Sequence, residues 1–187
     1  MLVDKDRLMA LSDGIVAIAA TIMVLELYVP TELNFQSIIV QIPTFVSFFV
    51  SFILIYLSWT THQKIFNKID EINGHMLITN AFWLLFTSLV PFVTKLKNTF
   101  PNSRFAAIEY ITILVLWLLS MEILDKIAVN SNPNIKKDEI STNKSRTMFV
   151  FGIIIVYIIA YFYPNLTNTV LVIFSILTLA YVYNLKK

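Results

Sequence analysis

Cysteine is absent, glycine occurs three times and histidine twice in 187 residues, and each shortage removes a kind of chemistry. Without a thiol there is no disulfide, no thiolate metal site and no cysteine nucleophile, and the redox compartment stays open. Gly14, Gly74 and Gly152 are too widely separated for a phosphate-cradling loop, and His62 and His75 form neither a His-x-x-x-His nor a Glu-x-x-His pair. A hydrolase needs a nucleophile with a base or clustered metal ligands. The chain therefore reads as no enzyme, with no catalytic residue, no metal site and no cofactor. Charge is scarce too, at 14% of residues and a net +2. That is too little and too scattered for a nucleic-acid partner.

What fills the chain instead is apolar: 57% of residues are hydrophobic and the mean hydropathy is +0.74. A hydrocarbon core of about 30 Å takes roughly 20 apolar residues per helix. Six such stretches occur, at about 8–29, 38–61, 76–95, 105–125, 146–163 and 166–184. They are continuously apolar, whereas membrane barrel strands alternate over about ten residues. The expected fold is all-α, a polytopic membrane protein with one six-helix transmembrane domain over 1–187 and membrane lipid around it.

Lys5 and Arg7 precede the first apolar run as in a signal peptide, but Ser12-Asp13-Gly14 interrupts it and no Ala-x-Ala-like cleavage site follows. It is expected to stay in the mature protein. With the N-terminus inside, Lys5, Arg7, Lys64, Lys68, Lys126, Lys136, Lys137, Lys144, Arg146, Lys186 and Lys187 fall on the inner side. Only Lys95, Lys97 and Arg104, all in or beside "KLKNTFPNSR", fall outside. The positive-inside bias thus predicts a plasma-membrane protein with both termini cytoplasmic, and that connection is its weak point.

Val29-Pro30 is expected to close the first helix, Pro43 to lie in the first turns of the second, and Tyr163-Pro164-Asn165 to turn the chain between the last two. Pro91 falls inside the third span and predicts a kink. The stretch "NSNPNIKKDEISTNKSR" reads as a solvated cytoplasmic linker.

At 100° per residue the first helix has a small face, Ala10, Asp13, Ala17, Ala20 and Val24, and a bulky one, Leu11, Ile18, Ile22 and Leu25. Small residues permit close helix approach, so the first face is expected to pack inside the bundle, with Asp13 finding a donor there. A lipid-facing carboxylate costs about 2.5–3.5 kcal/mol or more, which makes an intramembrane Asp13 a site. The other reading puts Asp13 at headgroup level, favouring the positive end of the helix dipole.

Arg7-x-x-x-Leu11-Ser12-Asp13-Gly14 followed by "IVAIAATIMVLEL" resembles the Arg-x-x-x-Phe-Ser-Asp signature of the transmembrane protein 175 type of potassium channel, with Leu11 where that family usually has Phe. "SWTTHQKIF", with Trp59 and His62, and "ITNAFWLLFTSLVPF", with Asn80 and Pro91, extend the resemblance over the first three helices. The last three match by span count and length alone. The resemblance implies six helices per repeat. Prokaryotic members carry one repeat and assemble as a homotetramer, with the first helix of each subunit lining a pore for potassium ions. It further implies that Arg7, Ser12, Asp13, Trp59, His62 and Asn80 form a polar network holding that helix. Its pore positions, carried over by distance from the signature Asp, are Ile18, Ile22 and Leu25, with Thr21 beside the first ring. These lie on the bulky face. Taken singly, His62 also reads as an interfacial histidine, Trp59 as an aromatic-belt anchor and Asn80 as interhelical glue.

Three scattered glycines cannot build a Thr-Val-Gly-Tyr-Gly filter, and no span carries the repeated arginines of a voltage sensor. The remaining device is a hydrophobic constriction acting as filter and gate. Glu26 is positioned to add negative potential at the outer mouth, or to be a solvated helix end. The alternative function is a proton-coupled carrier or proton leak using Asp13 and His62.

Overall fold

The computed structural model describes residues 4–27, 29–30, 32, 34–132, 143–173 and 176, with side chains in the fifth helix from residue 152 onward. The chain runs up and down through α1 (Lys5–Ile22), α2 (Phe35–Lys68), α3 (Gly74–Thr99), α4 (Arg104–Ser131) and α5 (Asn143–Phe162). A 3₁₀ turn, Pro164–Leu166, leads into helical residues 167–173. Most of the sixth span expected at 166–184, and the linker expected to join the fourth and fifth helices, lie outside the described residues. Among the described residues four helices, with the 3₁₀ extension of α1 included, are long and apolar enough to cross a membrane.

Polar caps, which hydropathy does not register, fix the starts. Asp4 accepts from the Asp6 amide at 2.8 Å, Asn73 from Met76 at 2.9 Å and Ser103 from Ala106 at 3.3 Å. Asn34 and Ser37 form a reciprocal capping box for α2. Each satisfies donors that the first helical turn leaves unpaired. Helix α2 runs 34 residues, beyond the apolar 38–61 at both ends. At 1.5 Å per residue that is about 51 Å, more than the bilayer core, so its "TTHQKIFNK" end stays helical past the apolar part of the span. Pro43 consequently lies more than two turns inside α2, and α3 continues through Pro91.

Helix α1 departs most from expectation. Its regular winding stops at Ile22, a 3₁₀ segment covers Met23–Glu26, and Leu27 is extended, so closure precedes Val29-Pro30. The face packed into the protomer is not the small one. Leu8, Ser12, Val16, Ala19 and Met23 are buried, while Ala10, Ala17 and Val24 are exposed and Asp13 and Ala20 half-buried. Leu8, Val16 and Met23 supply bulk that fills the core shared with the neighbouring helices, which alanines cannot do. The small face is left along the side.

Helices α3 and α4 make the most extensive pairing, around Trp83, Trp117, Tyr110 and Leu124. Lipid tails are as apolar as leucine, so packing and interhelical hydrogen bonds must distinguish this arrangement. Trp83 donates to Ser58 at 3.0 Å, Trp117 to Thr87 at 2.8 Å, and Ser51 bonds both Thr94 and Tyr110 at 3.1 Å. Tyr157 and Asn168 extend the set, bonding Thr112 on α4 and Ser47 on α2.

Candidate functional site: a pinned first helix with an open apolar face

Helix α1 is held near its start by two polar clusters. In the first, the Ser12 hydroxyl donates to the Leu8 carbonyl at 2.8 Å and accepts from Asn80 Nδ2 at 3.1 Å. With that amide nitrogen committed, Asn80 Oδ1 faces His62 Nε2 at 2.8 Å, so His62 is the donor and carries its proton on Nε2. All three are fully buried. The His62 ring lies between Trp83, 4.3 Å away at 11°, and Phe66, 4.4 Å away at 29°. Its Nδ1 has no hydrogen-bond partner among the described residues. The chain is thus arranged to hold this histidine as a fixed donor between aromatic faces.

The second cluster gathers on Asp13. Trp59 Nε1 donates to Asp13 Oδ1 at 2.7 Å and Gln63 Nε2 donates to the same oxygen at 2.6 Å. Trp59 and Gln63 are four residues apart on α2, hence stacked on one face of it. Hydrogen bonds to a charged group are worth about 1.5–3 kcal/mol each, enough to hold a carboxylate in a span. Gln63 did not stand out in the sequence, although its spacing from Trp59 carried the signal.

Of the six residues implied as a network, the structure brings Ser12, His62 and Asn80 together, and Asp13 with Trp59. Arg7 is not among them: it is exposed and, among the described residues, makes no hydrogen bond or ion pair. Lys5 ties the helix start instead, donating to the Ile69 carbonyl at the end of α2 at 3.0 Å. A cation there meets the negative end of the α2 dipole.

On the opposite side α1 is bare. Ile18, Ile22 and Leu25 are 59%, 42% and 76% exposed, with Leu11 in line below them. In the 3₁₀ segment residues three apart eclipse, so Leu25 stands directly over Ile22. Thr21, beside them, donates its hydroxyl to the Ala17 and Ile18 carbonyls at 2.9 and 3.0 Å. That leaves its oxygen lone pairs for an outside partner. Glu26, expected as a bare carboxylate, is ion-paired with Lys95 at 3.3 Å. Among the described residues no three His, Asp or Glu side chains converge as metal ligands.

Span count, buried interhelical hydrogen bonds and an apolar stripe left uncovered on a pinned helix define a multi-pass helical membrane protein. The family model described as endosomal/lysosomal potassium channel TMEM175 matches residues 7–91. A potassium channel of Chryseobacterium sp. (strain P1-3) is 30% identical over 163 residues, covering 86% of this chain and 84% of that one. The crystal structure of a lysosomal potassium-selective channel TMEM175 homologue from Chamaesiphon minutus superposes with a TM-score of 0.77 at 23% identity, covering 94% of this chain and 96% of that one. The endosomal/lysosomal proton channel TMEM175 of Mus musculus is 24% identical over 101 residues, 51% of this chain and 20% of its own. The chain belongs to the TMEM175 family, as a prokaryotic member, and is not an enzyme.

Proposed function

We propose that this chain forms a potassium-selective channel, a homotetramer whose four α1 helices line one pore. The bare stripe of Ile18, Ile22 and Leu25 on a helix pinned through Ser12 and Asp13 carries this reading. Close approach of four such helices is favoured by Ala10, Gly14, Ala17 and Thr21, an exposed small-residue row beside the stripe. A Cβ added at Gly14 meets nothing within the protomer, leaving that space for a neighbour.

Rings of Ile18, Ile22 and Leu25 then act as filter and gate. Fully stripping a small ion into an apolar medium costs on the order of 20 kcal/mol, so conducted cations keep much of their water. Rings that remove part of it without offering replacement oxygens penalise sodium, which holds water more tightly, and give moderate selectivity for potassium. The Thr21 lone pairs aid passage near the narrowest ring. The domain comprises all six helices over 1–187 and sits in the plasma membrane, both termini cytoplasmic. The three outer cations agree with this sidedness, since none is a free surface charge. Lys95 pairs with Glu26, buried Lys97 donates to the Pro101 carbonyl at 2.8 Å, and Arg104 lies 5.4 Å from the Tyr161 ring centre.

Recordings of purified protein in planar bilayers test this. Ile18→Asn wets the constriction and lowers discrimination against sodium; currents and selectivity identical to wild type remove Ile18 from the filter.

The animal relatives, which are proton channels, favour a second reading, proton permeation through Asp13 and His62. In this protomer those side chains belong to separate hydrogen-bond clusters, and a relay between them requires a bridging group. Proton flux abolished by Asp13→Asn in an intact assembly supports that reading.

A further inference from the structure

The carboxylate at the end of α1 is not a free charge. Glu26 closes the 3₁₀ segment with its side chain 14% exposed, and its Oε2 lies 3.3 Å from Nζ of Lys95, whose side chain is 62% exposed near the end of α3. The winding sets this pairing. A 3₁₀ helix turns about 120° per residue against about 100° in an α-helix. From Ile22 to Glu26 the difference carries the carboxylate about 80° further round the axis, away from the line of Ile18 and Ile22 and over the side where Met23 is buried against the bundle. Lys97 and Arg104, the other cations of this end, are committed to a carbonyl and an aromatic ring.

We propose that Lys95 is a conductance-setting counter-ion: its ammonium cancels the Glu26 carboxylate at the outer mouth, so that arriving cations meet little net negative charge. The inference rests on α1 lining the pore. Four uncompensated carboxylates around a narrow mouth with low-dielectric walls concentrate monovalent cations and hold divalent ones. Four ion pairs do neither. Lys95 thereby sets both the throughput at low salt and the resistance of the mouth to block by divalent cations. The field of such a ring reaches about 30 Å at 0.01 M ionic strength and about 3 Å at 1 M, so its removal is visible only in dilute salt.

The test uses the full chain in planar bilayers at about 10 mM and about 1 M KCl, with barium chloride added on the Glu26 side. Lys95→Gln is expected to raise potassium current entering from that side about two- to five-fold in dilute salt and not at 1 M. Barium then blocks at roughly ten-fold lower concentration. Glu26→Gln lowers the dilute-salt current, and Lys95→Arg behaves as wild type. The exchanged pair, Glu26→Lys with Lys95→Glu, restores the cancellation, and its dilute-salt current and barium block stay near wild type. Unchanged dilute-salt current and barium block in Lys95→Gln, or an exchanged pair that behaves like Lys95→Gln, overturns the proposal. Because the chain has no cysteine, Leu25→Cys is a clean probe of the underlying reading. If a cationic thiol reagent blocks Leu25→Cys while Lys95→Gln changes nothing, the counter-ion proposal fails alone. If Leu25→Cys is modified without block, the pore reading fails with it.

Discussion

The Trp59 indole donates to Asp13 across the seam between α2 and α1 at 2.7 Å, and so fixes the rotation of the first helix as well as its depth. A helix held only by apolar packing rotates at low cost in lipid. One held by a side-chain carboxylate on a named donor does not.

Replacing that donor is the simplest check. Trp59→Phe leaves Gln63 as the donor to Asp13 Oδ1, and the expected loss is about 1.5–3 kcal/mol, the worth of one hydrogen bond to a charged acceptor. It is read as a lower melting temperature of the purified protein in detergent. Adding Gln63→Leu strands the carboxylate and lowers it further.

Asn80→Leu removes both partners of the buried cluster at once. His62 then has no partner on either ring nitrogen, and the Ser12 hydroxyl keeps only its own helix. Leaving a buried donor unsatisfied costs about 1–3 kcal/mol. Thermal melting in detergent reports the loss.

Gly14→Leu separates assembly from folding. Within the protomer a Cβ at this position meets nothing, and leucine is a better helix former than glycine, so the helix itself is not weakened. Between copies it blocks the small row. Light scattering of the detergent-solubilised protein is expected to show loss of the tetramer at unchanged helical circular dichroism.

Spans were legible because a bilayer demands long apolar runs: α2 to α5 overlap the runs that hydropathy picks out, and polar caps such as Asn34 and Asn73, which hydropathy misses, start α2 and α3 earlier. The bulky face of α1 was legible from spacing, and the structure leaves it exposed. Its buried face was not, since Leu8, Val16 and Met23 pack by volume into a core shared with other helices, partners that the local pattern does not name. The bonds of Asp13 to Gln63 and of Glu26 to Lys95 join residues 50 and 69 positions apart, and no local periodicity encodes such pairs. The 3₁₀ ending at Met23–Glu26 was equally hidden, because an apolar run reads the same in either winding.

The account stands on the bare stripe of α1 facing the cation path. Single cysteines at Ile18, Ile22 and Leu25, and at Val16, Ala19 and Met23 as buried controls, tested by potassium flux from liposomes with a water-soluble cationic thiol reagent, address it directly. Block at the first three and none at the controls is predicted; modification of the first three that leaves flux unchanged contradicts it.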